Sequence, residues 1–480
     1  MSTASVSASV VRDGNGLAAL ANKCAARTFD ISSGMVYASM RDQIVRAQLL
    51  VRDLKKADPR CNHLLIVGAG VAGASAAVHA SALGIEVVVL ETKETAFELQ
   101  FQVSTRMVGP FMYEWPNMEY RSQDYPAVEP TLGVPRSETP KWASKDPMSA
   151  KALAESLREW LAEQGSMASP PQFHFNVSPK LAREYVRDFV TAASGSSTFS
   201  PPPLELPGPE DFFPDYVILA VGMGEERVHL IDGEPNGMRG LPFWHDDDLC
   251  SSGVEGMQVA VFGAGDGALQ DVLRVLTEHD HPLKFIEALE TGTDAIRTDI
   301  DRVRPVLSSL EHQSRLFATW SSGQVYDLID AKCEQHCMEL AKKSEVRTKV
   351  LSQLRTAKGS VVYHVYRESH LTRAYLLNRF CVHLINACQA MEDCGTKMRY
   401  VRYKETSVKS AEPKSSPAVA GEGGRIELSN GTTIEPTKLV VRFGPDRQWL
   451  ENFQIVRLTP ETHPDRVSMS TIPLPYVVSD

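Results

Sequence analysis

The chain carries the same glycine punctuation twice, and that repetition restricts its fold more than any other feature of its 480 residues. In "LLIVGAGVAGASAAVHASALGIEVVVLE", 64–91, an apolar run enters a turn at Gly68, Gly70 and Gly73, leaves as an alanine-rich helical run and returns as a second apolar run. In "VAVFGAGDGALQDVLRVL", 259–276, the turn recurs with Gly263, Gly265 and Ala268. Strand, glycine turn and helix in that order make the first half of a βαβ unit. The first glycine permits the tight turn, the second lets a ligand approach the backbone, and the third lets helix and strand pack closely. The helix start then offers free N–H groups and a partial positive charge to an anion. A dinucleotide's pyrophosphate fits that description. Glu91, ending "EVVVLE", stands at the expected distance of ~20 residues to accept hydrogen bonds from a ribose diol.

The second turn is followed by "LKFIEAL", which reads as the second strand of its own unit. Glu287 then falls near the ribose position, with no arginine beside it for a 2′-phosphate, and that choice leans toward NADH without excluding NADPH.

Composition narrows the class. With 43% hydrophobic and 23% charged residues the chain matches an ordinary globular protein, and its length allows two or three domains. A net charge of -10 and a pI near 5.8, without basic clusters, argue against nucleic-acid or anionic-membrane partners. No apolar run approaches the ~20 residues of a spanning helix, and eight scattered cysteines read as reduced thiols, so a cytoplasmic protein is expected.

Along the chain, 1–34 reads as a disordered tail and 35–61 as a helical preface, because Met40, Ile44, Leu50 and Leu54 share one helical face. Proline, glycine and serine mark a loop at 195–214, and "DYVILAVGMG" returns to a buried strand at 216–221. After 290 amphipathic stretches at 301–316, 324–351 and 370–391 read as helices. A hairpin is expected to turn at Asn430 and Gly431 before a last strand at 438–442. The expected fold is α/β, with two Rossmann-like dinucleotide-binding domains. The first comprises 62–241 and 438–480; the second comprises 242–437 and carries a helical insertion at about 295–400.

Two such units joined through "YVILAVGMG" resemble the two-dinucleotide-binding-domain flavoproteins, which include thioredoxin-reductase-like enzymes, flavin monooxygenases and amino-acid N-hydroxylases. The resemblance implies FAD on the first unit and NADH or NADPH on the second. It implies a crossing turn at Ala220, Val221 and Gly222, and a contact from Asp446 to the flavin, although Pro445 interrupts the usual Gly-Asp pair there. It further implies an FAD-dependent oxidoreductase, monooxygenase-like, acting on a small molecule. A non-catalytic nucleotide sensor and a flavin oxidase without NAD(P)H are the competing classes.

Candidate chemistry outside the glycine turns lies in two stretches. "GLPFWHDDDL", 240–249, partly resembles the linker of flavin monooxygenases and offers His245 beside Phe243 and Trp244. The aromatic loop 104–126 follows the first ribose acid. It offers Arg106 as a cation for an anionic flavin or a carboxylate substrate, with Tyr113 and Trp115 as an apolar wall; an interdomain plug is the alternative. Cys333 and Cys337, four apart on a helix, fit buried thiols better than a redox pair or a metal site, and no metal is expected.

Overall fold

In the computed structural model the described residues are 19, 22–32, 40–109, 112, 115–116, 140, 146–195, 199–205, 211–222, 224–234, 236–251, 255–317, 323–372 and 374–445. Their first unit runs β1 (Lys23–Ala25), β2 (Thr28–Asp30), α1 (Met40–Ala57), β3 (His63–Val67), α2 (Val71–Ala82), β4 (Glu86–Leu90) and the short α3 (Glu98–Phe101). It continues through β5 (Met107–Val108), β6 (Met148–Ser149), α4 (Ala150–Glu163), β7 (Gln172–His174), α5 (Pro179–Gly195) and β8 (Tyr216–Leu219). The sheet has the order β1-β2-β8-β3-β4-β7 and is parallel except at the β1–β2 hairpin.

The apolar runs of β3 and β4 form central strands because helices cover both faces of a parallel sheet. The small residues of α2 let α1 bury Ile44, Ala47, Leu50, Val51 and Leu54 close against it. One expectation fails at the edge. Residues 23–30, taken for part of a disordered tail, form β1 and β2, and Thr28, Phe29 and Asp30 are buried beside β8.

The second unit runs β9 (Gln258–Phe262), α6 (Asp266–Leu276), α7 (Pro282–Glu290), α8 (Asp294–Phe317), α9 (Gly323–Ala341), α10 (Ser344–Ser352), β10 (Val361–Val365) and α11 (Leu376–Met391). β11 (Arg399–Tyr403), β12 (Val408–Pro413), β13 (Gly424–Leu428), β14 (Thr433–Ile434) and β15 (Lys438–Val441) complete it. Its parallel sheet has the order β11-β10-β9-β15, and β12, β13 and β14 form a small antiparallel sheet with the β13–β14 turn at Asn430 and Gly431.

Three expectations need correction here. "LKFIEAL" is helix α7, and helices α7 to α10 all lie between α6 and the second strand of the sheet. That second strand is β10, part of a stretch read as helical; α11 is the crossover helix to β11 rather than part of the insertion. The strand at Lys438 does not return to the first domain: β15 pairs with β9 and completes the second sheet. Among the described residues no helix is long and apolar enough to cross a membrane.

Candidate nucleotide sites

The three glycines of the first turn have separate geometric tasks. Gly68 has φ +106, and a Cβ on it would stand 2.4 Å from the Ala220 carbonyl oxygen. A Cβ on Gly73 would stand 1.9 Å from the Gly68 carbonyl oxygen, so only glycine lets α2 lie that close. At Gly70, the N-cap of α2, a Cβ would meet nothing within 4 Å. The backbone there faces open space at a helix N-terminus with no side-chain cap, which fits a pyrophosphate. The Glu91 carboxylate accepts from the Ala69 N–H at 2.7 Å and the Lys93 N–H at 2.8 Å, and so stands beside the turn.

The second turn repeats this backbone. Gly263 has φ +128 with its Cβ direction blocked by the Arg442 carbonyl at 2.3 Å, Gly265 opens on free space, and Ala268 is buried. Gly68 N donates to Leu90 O at 2.7 Å, and Gly263 N donates to Val365 O at 3.0 Å. Phe97 N donates to Ala69 O at 3.2 Å, and Thr372 N donates to Ala264 O at 3.0 Å. Gly222, after β8, has φ +83, and Gly444, after β15, has φ +79. Arg442, Phe443 and Gly444 are therefore the second unit's counterpart of Ala220, Val221 and Gly222. The Gly444-Pro445 turn thus closes the second unit, not a flavin-facing strand of the first, which removes the basis for the Asp446 contact; Asp446 itself lies outside the described residues.

Register also relocates the ribose position of the second unit. Val67 pairs with Leu90, one residue before Glu91, and Phe262 pairs with Val365, one residue before Tyr366. Glu287 lies elsewhere, on α7, because Pro282 starts a helix there and Leu283, Ile286 and Leu289 bury one face of it. Tyr366 is buried, whereas Arg367 is exposed with its guanidinium 5.8 Å from the Phe443 ring centre. Among the described residues Arg367 has no carboxylate partner. The sequence offers Arg367 only as one polar residue of a stretch that reads as helical, because "LKFIEAL" takes the place of a strand that lies some eighty residues further on.

Arg106 faces no open site. Its guanidinium is 1% exposed, donates to Asp271 at 3.0 Å, Asp247 at 3.4 Å and the Phe243 carbonyl at 2.6 Å, and lies 3.6 Å over the Phe243 ring. Asp271 also accepts from Arg274 at 2.9 Å and Arg442 at 2.8 Å, and Arg274 bonds Asp247 at 2.8 Å. Burial by itself would raise the Asp271 carboxyl, but Arg106, Arg442 and Arg274 outweigh it and hold the group well below the usual carboxylate range. The cluster ties the first unit, the linker and the second unit together. Beside it, Asp246 accepts from the backbone N–H groups of Ser104 at 2.7 Å and Thr105 at 2.9 Å.

Trp115 takes the interdomain-plug alternative. Its ring is 1% exposed within the second unit's core, 4.9 Å from the Phe380 ring, and its Nε1 donates to Glu290 at 3.0 Å. Tyr113 lies outside the described residues. His245 is exposed, with Nδ1 2.7 Å from the Asp246 carbonyl and no catalytic partner among the described residues. Cys333 and Cys337 are fully buried, and burial pushes the Cys337 thiol well up, so they cannot serve as an accessible redox pair. Among the described residues no group of histidine, cysteine, aspartate and glutamate side chains could hold a metal ion.

Residues 63–210, within the first unit, match the family described as FAD dependent oxidoreductase. No curated protein matches the chain. Among solved structures it is similar to a thioredoxin reductase of Lactococcus lactis, at 10% identity and TM-score 0.33 over 80% of this chain and 77% of that one. It is similar to the bacillithiol disulfide reductase of Staphylococcus aureus, at 10% identity and TM-score 0.36 over 82% and 79%. A third similar structure is OTEMO in complex with FAD and NADP, at 13% identity and TM-score 0.34 over 82% and 74%. The resemblance to two-dinucleotide-binding-domain flavoproteins rests on the two turns and the family match, since such low scores carry no residue correspondence.

Proposed function

We propose that this chain is an oxidoreductase holding FAD on the first unit and taking electrons from NADPH on the second. The observation that carries the reading is the doubled turn: Gly70 and Gly265 each open on free space at the N-terminus of a helix, in units that share their surrounding backbone hydrogen bonds. The family match over 63–210 supports FAD for the first. Bound FAD would supply a hydride acceptor that no side chain provides. The chain's own part is to seat the two pyrophosphates on α2 and α6, to hold one ribose at Glu91, and to offer a cation at the other.

That cation is Arg367. With Glu287 on α7, no acid stands directly after β10, and the exposed guanidinium suits a 2′-phosphate. The electron acceptor is a small molecule. The described cysteines are buried or half-buried, which leaves no exposed thiol pair to relay electrons to a disulfide, and oxygen chemistry on a bound substrate fits the remaining options.

The test is one anaerobic experiment on the purified protein. It should carry flavin absorption that NADPH bleaches, and Arg367→Ala should lower the preference for NADPH over NADH about tenfold, ~1.4 kcal/mol. A protein that takes up no flavin sinks the proposal. A flavin that neither NADPH nor NADH bleaches sinks its second half and favours the oxidase or the sensor.

A further inference from the structure

The second turn meets a steric problem that the first avoids. In the first unit α2 lies against the Gly68 carbonyl, where a Cβ on residue 73 would stand 1.9 Å from the oxygen. Ala268 brings that Cβ at the corresponding place in α6, and it is fully buried. The methyl crowds the side of the turn where the Gly263 carbonyl stands, and that carbonyl has a partner of its own.

His364, on β10, provides the partner. Its Nε2 lies 2.7 Å from Gly263 O and its Nδ1 2.8 Å from the Tyr400 hydroxyl. A carbonyl only accepts, so Nε2 carries the proton, and Nδ1 accepts from Tyr400. The ring is completely buried, and burial pulls its pKa down to about 4, which keeps it neutral. In the first unit the register position of His364 is held by Val89, opposite Ile66 as His364 is opposite Val261, and valine has no such bond to give.

Polar groups continue behind the ring. Arg402 bonds Glu334 at 2.6 Å and lies 3.4 Å from His383 Nδ1, and His383 Nε2 lies 2.8 Å from Asp330. Asp330 also accepts from the Leu371 N–H, one residue before the Thr372 N–H that binds Ala264 O. His364 thus holds the turn itself, and Asp330 separately anchors the loop whose Thr372 N–H binds Ala264 O.

We infer that His364 is a positioning residue for the nicotinamide nucleotide: it holds the Gly263 carbonyl in place of the missing third glycine and so keeps the second turn shaped for a pyrophosphate. The inference rests on the assignment of NADPH to this unit.

NADP⁺, which cannot reduce the flavin, is the probe, and its affinity for the FAD-loaded protein is measured by calorimetry. His364→Leu should weaken it about tenfold with flavin content unchanged. His364→Gln, whose side-chain amide can donate to the same carbonyl, should stay within about threefold. The double variant His364→Val with Ala268→Gly rebuilds the first unit's arrangement and should recover much of the loss. Should His364→Leu not fold, Tyr400→Phe carries the test by removing the hydroxyl that fixes the tautomer, with a weakening of about threefold expected. Wild-type affinity in the folded Leu variant, or in the Phe variant, overturns this inference alone, as does a Gln variant that falls as far as Leu. Absence of NADP⁺ binding by the wild-type protein overturns both the inference and the nucleotide assignment beneath it.

Discussion

At the scale of single residues, one methyl group separates the tasks of Gly70 and Gly73. Gly70→Val adds side-chain atoms to open space in the path of a pyrophosphate. The variant should fold and retain less than about a tenth of the flavin, read as the ratio of flavin to protein absorbance; a flavin content like that of wild type would refute the site. Gly73→Ala drives a Cβ into the Gly68 carbonyl and should instead destabilise the first unit by about 1–3 kcal/mol, read from denaturant midpoints. These positions were legible in the sequence because glycine itself declares a backbone requirement. Arg367 and His364 stand out only as polar residues of a stretch that reads as helical, since their meaning depends on where β10 runs and ends, and a histidine or arginine in an amphipathic run looks the same on a solvated helix. Arg106 was legible as important and misassigned in role, because nothing in "STRM" announces that Asp247 and Asp271 will meet it.

At the scale of elements, α7 shows why a seven-residue apolar run is ambiguous. "LKFIEAL" satisfies a buried strand and a helix face equally, and the decision came from its ends: Pro282 at the first turn, and the His281 side chain accepting from the Leu283 N–H at 3.1 Å. Glu287→Ala should accordingly leave NADPH affinity within about twofold of wild type, measured beside Arg367→Ala; a tenfold loss would restore the earlier ribose assignment. The opposite error occurred at β10, where "VVYHV" merged into the helical pattern beyond it. Parallel pairing with β9 and β11 fixes it as a strand, and such long-range pairing leaves little trace in local periodicity. The hairpin at Asn430 and Gly431 was legible for the contrary reason, since its turn chemistry is local.

At the scale of the whole molecule, the charged cluster around Asp271 joins the two units and sets their response to acid. Removing one partner of a buried pair leaves charge uncompensated, so Arg106→Ala should destabilise the protein by about 3 kcal/mol at neutral pH, read from chemical denaturation; a loss near zero would mean that the cluster holds nothing. Because the Asp271 carboxyl is depressed in the folded state, its contribution is present above the ordinary aspartate value of about 4 and is lost as pH falls toward the folded one. Denaturant midpoints measured from neutral pH down to about 3 should fall more steeply for wild type than for Asp271→Asn, and parallel curves would refute the coupling. Trp115 adds a consequence of another kind. It precedes the second unit by more than a hundred residues yet is one of the largest fully buried side chains in that unit's core, beside Met112. A fragment starting at residue 242 would be born with a hole where an indole belongs, so the nucleotide units are not interchangeable modules. Evolution could exchange one of them for a foreign copy only by carrying this distant stretch of chain along with it.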